Sequence, residues 1–581
     1  MSSDQAATPR QIVGVDTGGT FTDFVLLDDG RVRVHKVLST PDNPARAILQ
    51  GLVDLGTGGR LAAVVHGSTV ATNAVLEHKG VRTGLITTSG FRDVLEIGRQ
   101  TRPKLYDLRV ERQPPLVERA LRLEVLERLD ERGGVLVPLD PATVRAAIAA
   151  LAEAGVESVA VCLLFSFANP AHEATVAEAA RAAGLHVSAS HEVLPEFREY
   201  ERTSTVALNA YVAPLMDRYL GRLEEELPGR APLRIMQSNG GSISATTARR
   251  EAARTLLSGP AAGVVGAAFV AEASGYGQTI TFDMGGTSTD VALVDGAITE
   301  TTDGRIGGYP TKLPMIDIHT VGAGGGSIGW FDAGGALRVG PASAGADPGP
   351  ASYGAGGSEP TVTDANVVLG RLIPDAFLGG AMRLEVDAAR RAVERIAGRL
   401  GTSAEEAALG MVRVANANME AAIRVISVER GHDPRRFTLV AFGGAGPLHA
   451  CELASALRIP RVLVPATPGV LSALGMLAAD IIKDYVRTVM VGAVEAQAAV
   501  DPVFAELGAR GEADLRAEGL PPDRIAIERY LDLRYVGQSY ELVVPFDGEV
   551  PAAVAAFHAA HERRFGYSDS AEQVQVVNCR V

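Results

Sequence analysis

Residues 14–23 read GVDTGGTFTD and residues 281–290 read TFDMGGTSTD, so the pattern D-x-G-G-T-x-T-D occurs twice in the chain. An apolar run enters each copy, and a second apolar run leaves it toward an Asp-Gly turn. Each copy is therefore predicted to form a strand, a Gly-Gly turn and a second strand. One such hairpin would be an ordinary turn, but two in matching context indicate duplicated halves.

The turns of this repeat suit phosphate, because two glycines let backbone N–H groups approach a ligand without an intervening Cβ. Threonine hydroxyls stand beside those amides in both copies. Asp16 and Asp283 end buried strands, where a carboxylate needs a cation, and a hydrated Mg²⁺ that bridges phosphate oxygens is the natural partner. The predicted phosphate-binding residues are Gly18, Gly19, Thr20, Thr22, Gly285, Gly286, Thr287 and Thr289.

A third glycine turn follows the second hairpin along the chain. The apolar residues 439–442 precede Gly443-Gly444-Ala445-Gly446-Pro447, which leads into a predicted helix. Such a turn permits close approach to a flat ring or a ribose beside a helix N-terminus. It also serves simple packing, but its place in the chain favours Gly443, Gly444 and Gly446 as residues on the adenosine side of a nucleotide.

The order of hairpin, second hairpin and GGAGP resembles the nucleotide site of the actin, hexokinase and heat-shock chaperone superfamily. More specifically, the chain is similar to the hydantoinase A and 5-oxoprolinase family, which includes the β subunit of acetone carboxylase. The segments that carry this resemblance are GVDTGGTFTDFVL from Gly14, HGSTVATNAVLE from His66, MQSNGG from Met236, SGPAAGVVGA from Ser258, FDMGGTSTDVALV from Phe282, HTVGAGGGSI from His319, SAGADPGPASYG from Ser343, TVTDANVVLGRL from Thr361 and AFGGAGPLHA from Ala441.

The resemblance implies an α/β fold with duplicated actin/hexokinase-like (ribonuclease H-like) domains around an ATP cleft, insertions, and a small α+β C-terminal unit. It also implies ATP and Mg²⁺ as cofactors and phosphoryl transfer to a substrate carbonyl. The expected activity is the opening of a cyclic amide of the hydantoin or 5-oxoproline type. An ATP-dependent ketone carboxylase subunit is the alternative, and a non-enzymatic ATP switch on the same scaffold is a second alternative.

A partner is a further implication of the resemblance, namely a hydantoinase B-like subunit that completes the reaction. Family members usually continue well past the position of Val581.

Candidate substrate residues cluster after the apolar residues 62–65. His66 with Ser68, Thr69 and Asn73 offers a proton-transfer group and hydrogen-bonding groups at a strand end. The alternative is a histidine that caps a turn, with Ser68 or Thr69 as a helix N-cap. The resemblance favours the substrate side, with His66 as a catalytic candidate beside Asp16 and Asp283.

Asp317 and His319 are spaced to share one face of a strand and either converge on a ligand or bond to each other. His319 is taken as a substrate candidate. The glycines at 322–326 lack the βαβ frame of a dinucleotide site, so a loop that contacts phosphate or substrate is expected there instead. Asp347 is a further substrate candidate, and an Asp-Pro turn is its plain interpretation.

Composition excludes several other classes of function. The net charge of −14 disfavours a nucleic-acid partner, because phosphate neutralisation needs a concentrated positive surface. The three cysteines are too far apart to predict a disulfide framework or a zinc site. Neither a secretory signal nor an apolar run long enough to span a membrane is found, so a cytoplasmic location is expected.

The predicted domains are residues 10–200 with the first hairpin, residues 201–490 with the second hairpin and the adenosine loop, and residues 491–581 as a C-terminal α+β unit. Residues 322–360 are rich in Gly, Ala, Ser and Pro and are predicted to be irregular.

Overall fold

The computed structural model describes residues 11–19, 21–40, 43–57, 61–101, 106, 113–380 and 382–581. Within them the strands are β1 (Gln11–Thr17), β2 (Phe21–Asp28), β3 (Arg31–Leu38), β4 (Leu61–Gly67), β5 (Thr83–Thr88), β6 (Arg122–Val125), β7 (Arg128–Leu129), β8 (Val135–Val137), β9 (Ser158–Cys162), β10 (His186–Ala189), β11 (Leu233–Met236), β12 (Ser242–Ser244), β13 (Gln278–Met284), β14 (Thr289–Asp295), β15 (Glu300–Thr301), β16 (Gly304–Ile306), β17 (Tyr309–Thr311), β18 (Met315–Ile316), β19 (Ile318–Val321), β20 (Ser327–Phe331), β21 (Leu337–Ser343), β22 (Thr438–Phe442), β23 (Arg461–Leu463), β24 (Val486–Gly492), β25 (Tyr530–Tyr535), β26 (Leu542–Pro545) and β27 (Val574–Arg580).

The α-helices of the same residues are α1 (Pro44–Asp54), α2 (Val70–Leu76), α3 (Val94–Ile97), α4 (Pro141–Glu153), α5 (Ala171–Ala182), α6 (Ser190–Val193), α7 (Glu199–Glu226), α8 (Ala245–Arg250), α9 (Ser258–Ala273), α10 (Val362–Val368), α11 (Val386–Leu400), α12 (Ala404–Ile426), α13 (Gly446–Leu457), α14 (Leu471–Ala478), α15 (Gln497–Ala517) and α16 (Val550–Phe565). Within the described part of the chain, none of these helices is long and apolar enough to cross a membrane.

The chain divides into two compact units, each assembled from three separate segments. Unit 1 comprises Met1–Ser68, Leu257–Glu300 and Ile316–Ala479, and unit 2 comprises Thr69–Leu256, Thr301–Met315 and Asp480–Val581. The three continuous domains expected from the sequence stay a prediction beside this division.

Unit 1 contains the same strand arrangement twice. In the first copy β1 pairs antiparallel with β2, β2 pairs antiparallel with β3, and β4 lies parallel to β1 on the other side. In the second copy β13, β14, β19 and β22 take those four places with the same directions, and β23 extends the sheet. The duplication predicted from the repeat is thus present as two equivalent sheets.

Small residues hold one helix close to the first sheet. Gly266 of α9 and Gly475 of α14 face each other, and a Cβ on Gly266 would come within 2.5 Å of a backbone oxygen of α14. A Cβ on Gly14 of β1 would likewise overlap the carbonyl oxygen of Ala473. Because these glycines lack side chains, α14 packs directly on β1 and α9. This contact brings the start of α14 to the carboxyl end of β1.

The second sheet is stabilised mainly by apolar side chains. Ile280 and Phe282 of β13 are fully buried, and they share a core with Met411 and Met419 of α12. Such burial contributes roughly 1.5–3 kcal/mol per large side chain. It fixes β13, and with it Asp283 at the end of the strand.

Unit 2 contains a parallel sheet in the order β10-β9-β5-β6 and an antiparallel C-terminal sheet in the order β24-β27-β25-β26. The antiparallel sheet shares its core with α15 and α16, through Phe504 and Phe557. The predicted fold class is confirmed, because the chain is α/β with duplicated sheets and carries a small α+β unit at its C-terminal end.

The expectation of irregular structure over residues 322–360 is only partly correct. β20 and β21 form an antiparallel hairpin there, in which Trp330 pairs with Arg338 and Phe331 with Leu337. The prediction followed from the overall composition of the segment, whereas Trp330, Phe331 and Leu337 lie in the paired strands.

Candidate functional site

The two hairpins present their aspartates in matching pairs. Asp16 is the partner of Asp23 across β1 and β2, and Asp283 is the partner of Asp290 across β13 and β14. Directly opposed residues project from the same face of a sheet, so each hairpin carries two adjacent carboxylates. The negative charges of Asp16 and Asp23 also act on Asp283. Unit 1 therefore brings the two repeats together at one acidic site.

The first pair of carboxylates is difficult to ionise. Burial, followed by the charge of Asp23, raises the pKa of Asp16 to about 7, although Lys36 and a hydrogen bond with Ser472 oppose the rise. Burial also raises the pKa of Asp23, against the effect of Lys36. Lys36 Nζ lies 2.6 Å from Asp23 Oδ1.

The second pair is at least as strongly perturbed. Burial, with the charges of Asp290, Asp16 and Asp23, raises the pKa of Asp283 well above its usual range. Burial raises the pKa of Asp290 to about 6, although a hydrogen bond from Thr320 opposes the rise. These clustered carboxylates are the kind of oxygen ligands that a hard divalent cation would stabilise in their ionised form.

The two later threonines of the repeat belong to the scaffold, which corrects the prediction that they bind phosphate. Each precedes an aspartate in a strand, and consecutive side chains point to opposite faces. Thr22 Oγ1 lies 3.0 Å from Ser39 Oγ, and Thr289 Oγ1 donates to the carbonyl oxygen of Ala323 at 2.5 Å. Both side chains are buried.

The Gly-Gly turns close in the same way in both hairpins. The Gly18 amide donates to Phe21 O at 2.9 Å, and the Gly285 amide donates to Ser288 O at 3.0 Å. The turn residues that are exposed are Gly19, Gly286 and Thr287. Thr20, their counterpart in the first turn, lies outside the described residues. Phosphate binding by these turns stays a prediction.

The glycine-rich residues 322–327 form backbone hydrogen bonds to the second Gly-Gly turn. The sequence predicted instead that this loop contacts phosphate or substrate. The amides of Gly325 and Gly326 donate to the carbonyl oxygens of Gly285 and Gly286 at 3.0 and 2.6 Å. Gly325 and Gly326 are buried. A Cβ on Gly324 would lie 2.6 Å from the backbone of Gly286, so these glycines permit close backbone contact.

The third glycine turn lies against the second hairpin. β22 is parallel to β13, and Phe442 pairs with Asp283 at the carboxyl ends of the two strands. Gly443 has a φ of +78°, and a Cβ there would overlap Asp283 Oδ1. The Ala445 amide donates to Met284 O at 2.9 Å. The turn predicted to bind adenosine therefore touches the acidic site, with Gly444 exposed and Gly446 beginning α13.

His66 lies on β4, the strand of the first sheet that corresponds to β22 in the second. β4 is parallel to β1, and Gly67 pairs with Asp16 as Phe442 does with Asp283. The His66 side chain is fully buried with Nδ1 3.2 Å from Val15 O. Burial lowers the pKa of His66 to about 4, so the imidazole is neutral at physiological pH. This geometry favours a role in orienting the end of β1, beside Asp16.

The residues after His66 divide between the two units. Ser68 belongs to unit 1, where its amide and carbonyl both lie 3.3 Å from the Ser258 hydroxyl at the start of α9. Thr69 and Asn73 belong to unit 2, where Thr69 precedes α2 without a side-chain capping bond and Asn73 is exposed on the helix. Their substrate role stays a prediction.

The other predicted candidates lie on separate elements. His319 is half-buried on β19, and Asp317 forms an ion pair with Arg430 instead of bonding to His319. Asp347 is exposed in a turn, in agreement with its plain interpretation.

Sequence reasoning missed Asp23, Asp290, Lys36 and Ser472 as members of the acidic site. Lys36 is paired with Asp23 across β2 and β3, a register that the Asp-Gly turn between the strands could have indicated. Ser472 reaches Asp16 from α14. No sequence signal separates that serine from others, because its position depends on how the helix packs.

The acidic site fits a partly hydrated divalent cation better than a metal held by protein alone. Among the described residues, no group of three or more His, Cys, Asp and Glu side chains is arranged to hold a metal ion. Mg²⁺ usually retains several waters and binds one or two carboxylates together with phosphate oxygens. Carboxylates with raised pKa values beside glycine turns match that donor set.

Comparison of the chain with models of known protein families identifies its family. A model described as hydantoinase/oxoprolinase matches residues 202–485, and one described as the hydantoinase/oxoprolinase N-terminal region matches residues 12–184. The chain belongs to the hydantoinase/oxoprolinase family. The family predicted from the sequence motifs is thus confirmed, and the two matched regions lie within the first two predicted domains.

One relative of this chain is the caprolactamase subunit alpha of Pseudomonas jessenii. The two are 40% identical over 595 residues, which cover 97% of this chain and 86% of that protein. The crystal structure of ATP-dependent caprolactamase from the same organism matches with a TM-score of 0.88 at 38% identity, covering 98% and 86% of the two chains.

Two further relatives are an acetone carboxylase and a 5-oxoprolinase. The nucleotide-free structure of acetone carboxylase, from a study of ATP-dependent acetone carboxylation, matches with a TM-score of 0.78 at 30% identity and covers 99% of this chain and 87% of that one. 5-Oxoprolinase 1 of Arabidopsis thaliana is 35% identical over 640 residues, covering 98% of this chain and 49% of that protein. This chain therefore spans about half the length of that relative.

Proposed function

We propose that the chain is an ATP- and Mg²⁺-dependent enzyme subunit that opens a cyclic amide by phosphoryl activation of its carbonyl. The observation that carries the proposal is the convergence of the two aspartate pairs with the Gly443 turn in unit 1. Carboxylates, turn amides and a glycine contact surface are the parts that phosphoryl transfer requires, because its catalysis consists mostly of positioning and charge neutralisation.

Each group has a proposed task at this site. Asp16 and Asp283 hold the hydrated cation, and the turns at Gly18–Gly19 and Gly285–Gly286 hold the phosphates. The turn from Gly443 to Gly446 supports the adenosine side. His66, neutral and buried, keeps the end of β1 in register and so orients Asp16.

The substrate class is proposed from chemistry and similarity. An amide carbonyl is a poor electrophile. When its oxygen accepts the γ-phosphoryl group of ATP, with ADP as the leaving group, one water attacks the carbon and the ring C–N bond breaks, which gives an amine and an acyl phosphate. A second water then hydrolyses the acyl phosphate to the carboxylate and phosphate. The similarity to ATP-dependent caprolactamase over almost the full chain supports a lactam-type substrate. That relative is named as a subunit, which supports a hydantoinase B-like partner for this chain.

A ketone carboxylase subunit is the second candidate, supported by the similarity to acetone carboxylase. The same site would then phosphorylate an enolate oxygen, and carboxylation would replace hydrolysis. Mass spectrometry of products from the chain with its co-purified partner separates a ring-opened amino acid from a carboxylated ketone. A stable phosphorylated product would instead identify a kinase.

Nucleotide binding can be tested on the isolated chain. Mg·ATP is expected to raise the melting temperature, and Asp283→Asn is expected to remove that rise without unfolding the protein. Asp295→Asn is the matched control, because Asp295 lies on the same strand as Asp290 and is exposed. A wild-type chain that gives no shift with any Mg·nucleotide, or an Asp283→Asn variant that shifts like wild type, would contradict the proposal.

A further inference from the structure

The two equivalent sheets of unit 1 differ at one position of the acidic site. On the first sheet Asp16, Asp23 and Lys36 form a row across β1, β2 and β3. On the second sheet the corresponding row is Asp283, Asp290 and Thr320 across β13, β14 and β19. The duplicated site is therefore symmetric in its carboxylates and asymmetric in its third strand, where a cation faces a neutral hydroxyl.

Lys36 forms an ion pair with Asp23, and its side chain is partly exposed to solvent. Its Nζ lies 2.6 Å from Asp23 Oδ1 and 5.0 Å from the centre of the Phe21 ring. Its side chain is 34% exposed, and it lines a cavity of about 350 Å³ together with Val34, His35 and Val470. The side chain is therefore partly accessible from solvent, as a lysine that binds phosphate must be.

Neutralising the adjacent aspartate does not by itself explain the lysine. Asp290 holds the same position as Asp23 in the second sheet, and its third-strand partner is Thr320, whose Oγ1 donates to Asp290 Oδ1 at 2.5 Å. A half-buried carboxylate at this position is thus accommodated by a neutral hydroxyl. The first sheet carries a charge that the scaffold alone does not require.

We infer that Lys36 binds the terminal phosphate of the nucleotide and thereby assigns that phosphate to the first hairpin. The inference rests on the proposed function, which supplies the triphosphate. Two turns with the same closing hydrogen bonds would hold either end of a polyphosphate equally well. The γ-phosphate carries the charge that distinguishes ATP from ADP, and a lysine ammonium is a compact partner for it.

The test measures the affinity of the protein for two ligands, ADP and a non-hydrolysable ATP analogue with an imido group between the β- and γ-phosphates. Both are added with Mg²⁺, and binding is followed by thermal shift and calorimetry. Lys36→Met is expected to lower the affinity for the ATP analogue at least tenfold and the affinity for ADP less than twofold. Lys36→Arg is expected to retain most of the preference for the ATP analogue. Thr320→Val, the matched change on the second sheet, is expected to leave the ratio of the two affinities unchanged.

The contradicting outcomes are distinct. If Lys36→Met weakens both nucleotides equally or neither, Lys36 serves only Asp23 and the inference falls while the proposed function stands. If wild type binds neither nucleotide, the proposed function fails and this inference fails with it. Because Lys36→Met leaves Asp23 without its cation, the double variant Asp23→Asn/Lys36→Met provides the same comparison if the single variant does not fold.

Discussion

Asp16 gives the most direct physical test of the acidic site, through the stability of the unliganded protein. The pKa of Asp16 is raised from 3.8 to about 7 in the folded chain, mainly by burial. The folded state therefore keeps a proton that the unfolded state has already released between about pH 4 and pH 7. The free energy of unfolding falls as the pH rises through this window, and the penalty is complete above pH 7.

The size of the effect follows from the width of the window. One pKa unit corresponds to about 1.36 kcal/mol, so the two units between pH 5 and pH 7 correspond to at most about 3 kcal/mol. Asp16→Asn removes the titrating group while its amide oxygen can still accept a hydrogen bond from Ser472. The variant is expected to gain up to about 3 kcal/mol relative to wild type when the pH is raised from 5 to 8 in the presence of a chelator.

The assay is denaturant unfolding of wild type, Asp16→Asn and the control Asp295→Asn at several pH values, with chelator and then with Mg²⁺ and ADP. Wild type is expected to recover stability with Mg²⁺ and ADP at pH 8, because a cation stabilises the ionised carboxylates. Asp16→Asn is expected to respond far less, and Asp295→Asn to follow wild type. Parallel pH profiles for Asp16→Asn and wild type in chelator would refute the assignment of a buried, titrating carboxylate to this position.

Three further variants separate ligand contacts from scaffold contacts. Gly443→Ala is expected to lower stability by about 1–3 kcal/mol and to abolish the nucleotide-induced melting shift, because Gly443 has a φ of +78° and its added Cβ would overlap Asp283. Gly444→Ala adds a Cβ in open space and is expected to leave the stability of the unliganded protein unchanged. Equal losses of stability in the two variants would contradict the contact between Gly443 and Asp283. Thr289→Val is expected to cost about 1–3 kcal/mol by leaving a buried carbonyl unpaired, with little change in nucleotide affinity by calorimetry; a large loss of affinity at full stability would restore this threonine as a ligand. Thr287→Val at the exposed tip is expected to show the opposite pattern, weaker nucleotide binding at unchanged melting temperature, and unaltered binding would remove it from the site.

Much of the site could be predicted because the repeat is local. The pattern D-x-G-G-T-x-T-D specifies a strand, a tight turn and a returning strand, and a short turn determines which residues face each other. Asp16 therefore meets Asp23, and Asp283 meets Asp290, for reasons contained within eight residues of sequence. The same alternation of side chains could have shown that Thr22 and Thr289 point away from these carboxylates.

The interpretation of glycine-rich segments was less reliable, because a glycine permits close approach to any neighbour. The turn at Gly443 does contact Asp283, whereas the buried amides of Gly325 and Gly326 support the backbone of the second hairpin. Composition is similar in the two segments. The difference lies in the element that each segment meets, and that element is distant in sequence.

The amino-acid sequence alone thus determined the duplicated architecture, the family and the position of one aspartate in each hairpin, since these depend on short-range register and on motifs. Tertiary packing decided that the two repeats share one acidic site, that α14 brings Ser472 to Asp16, and that His66 is buried in the sheet. It also raised the pKa of Asp16. Burial and the mutual repulsion of charges arise only when segments far apart in the chain exclude water from the same place.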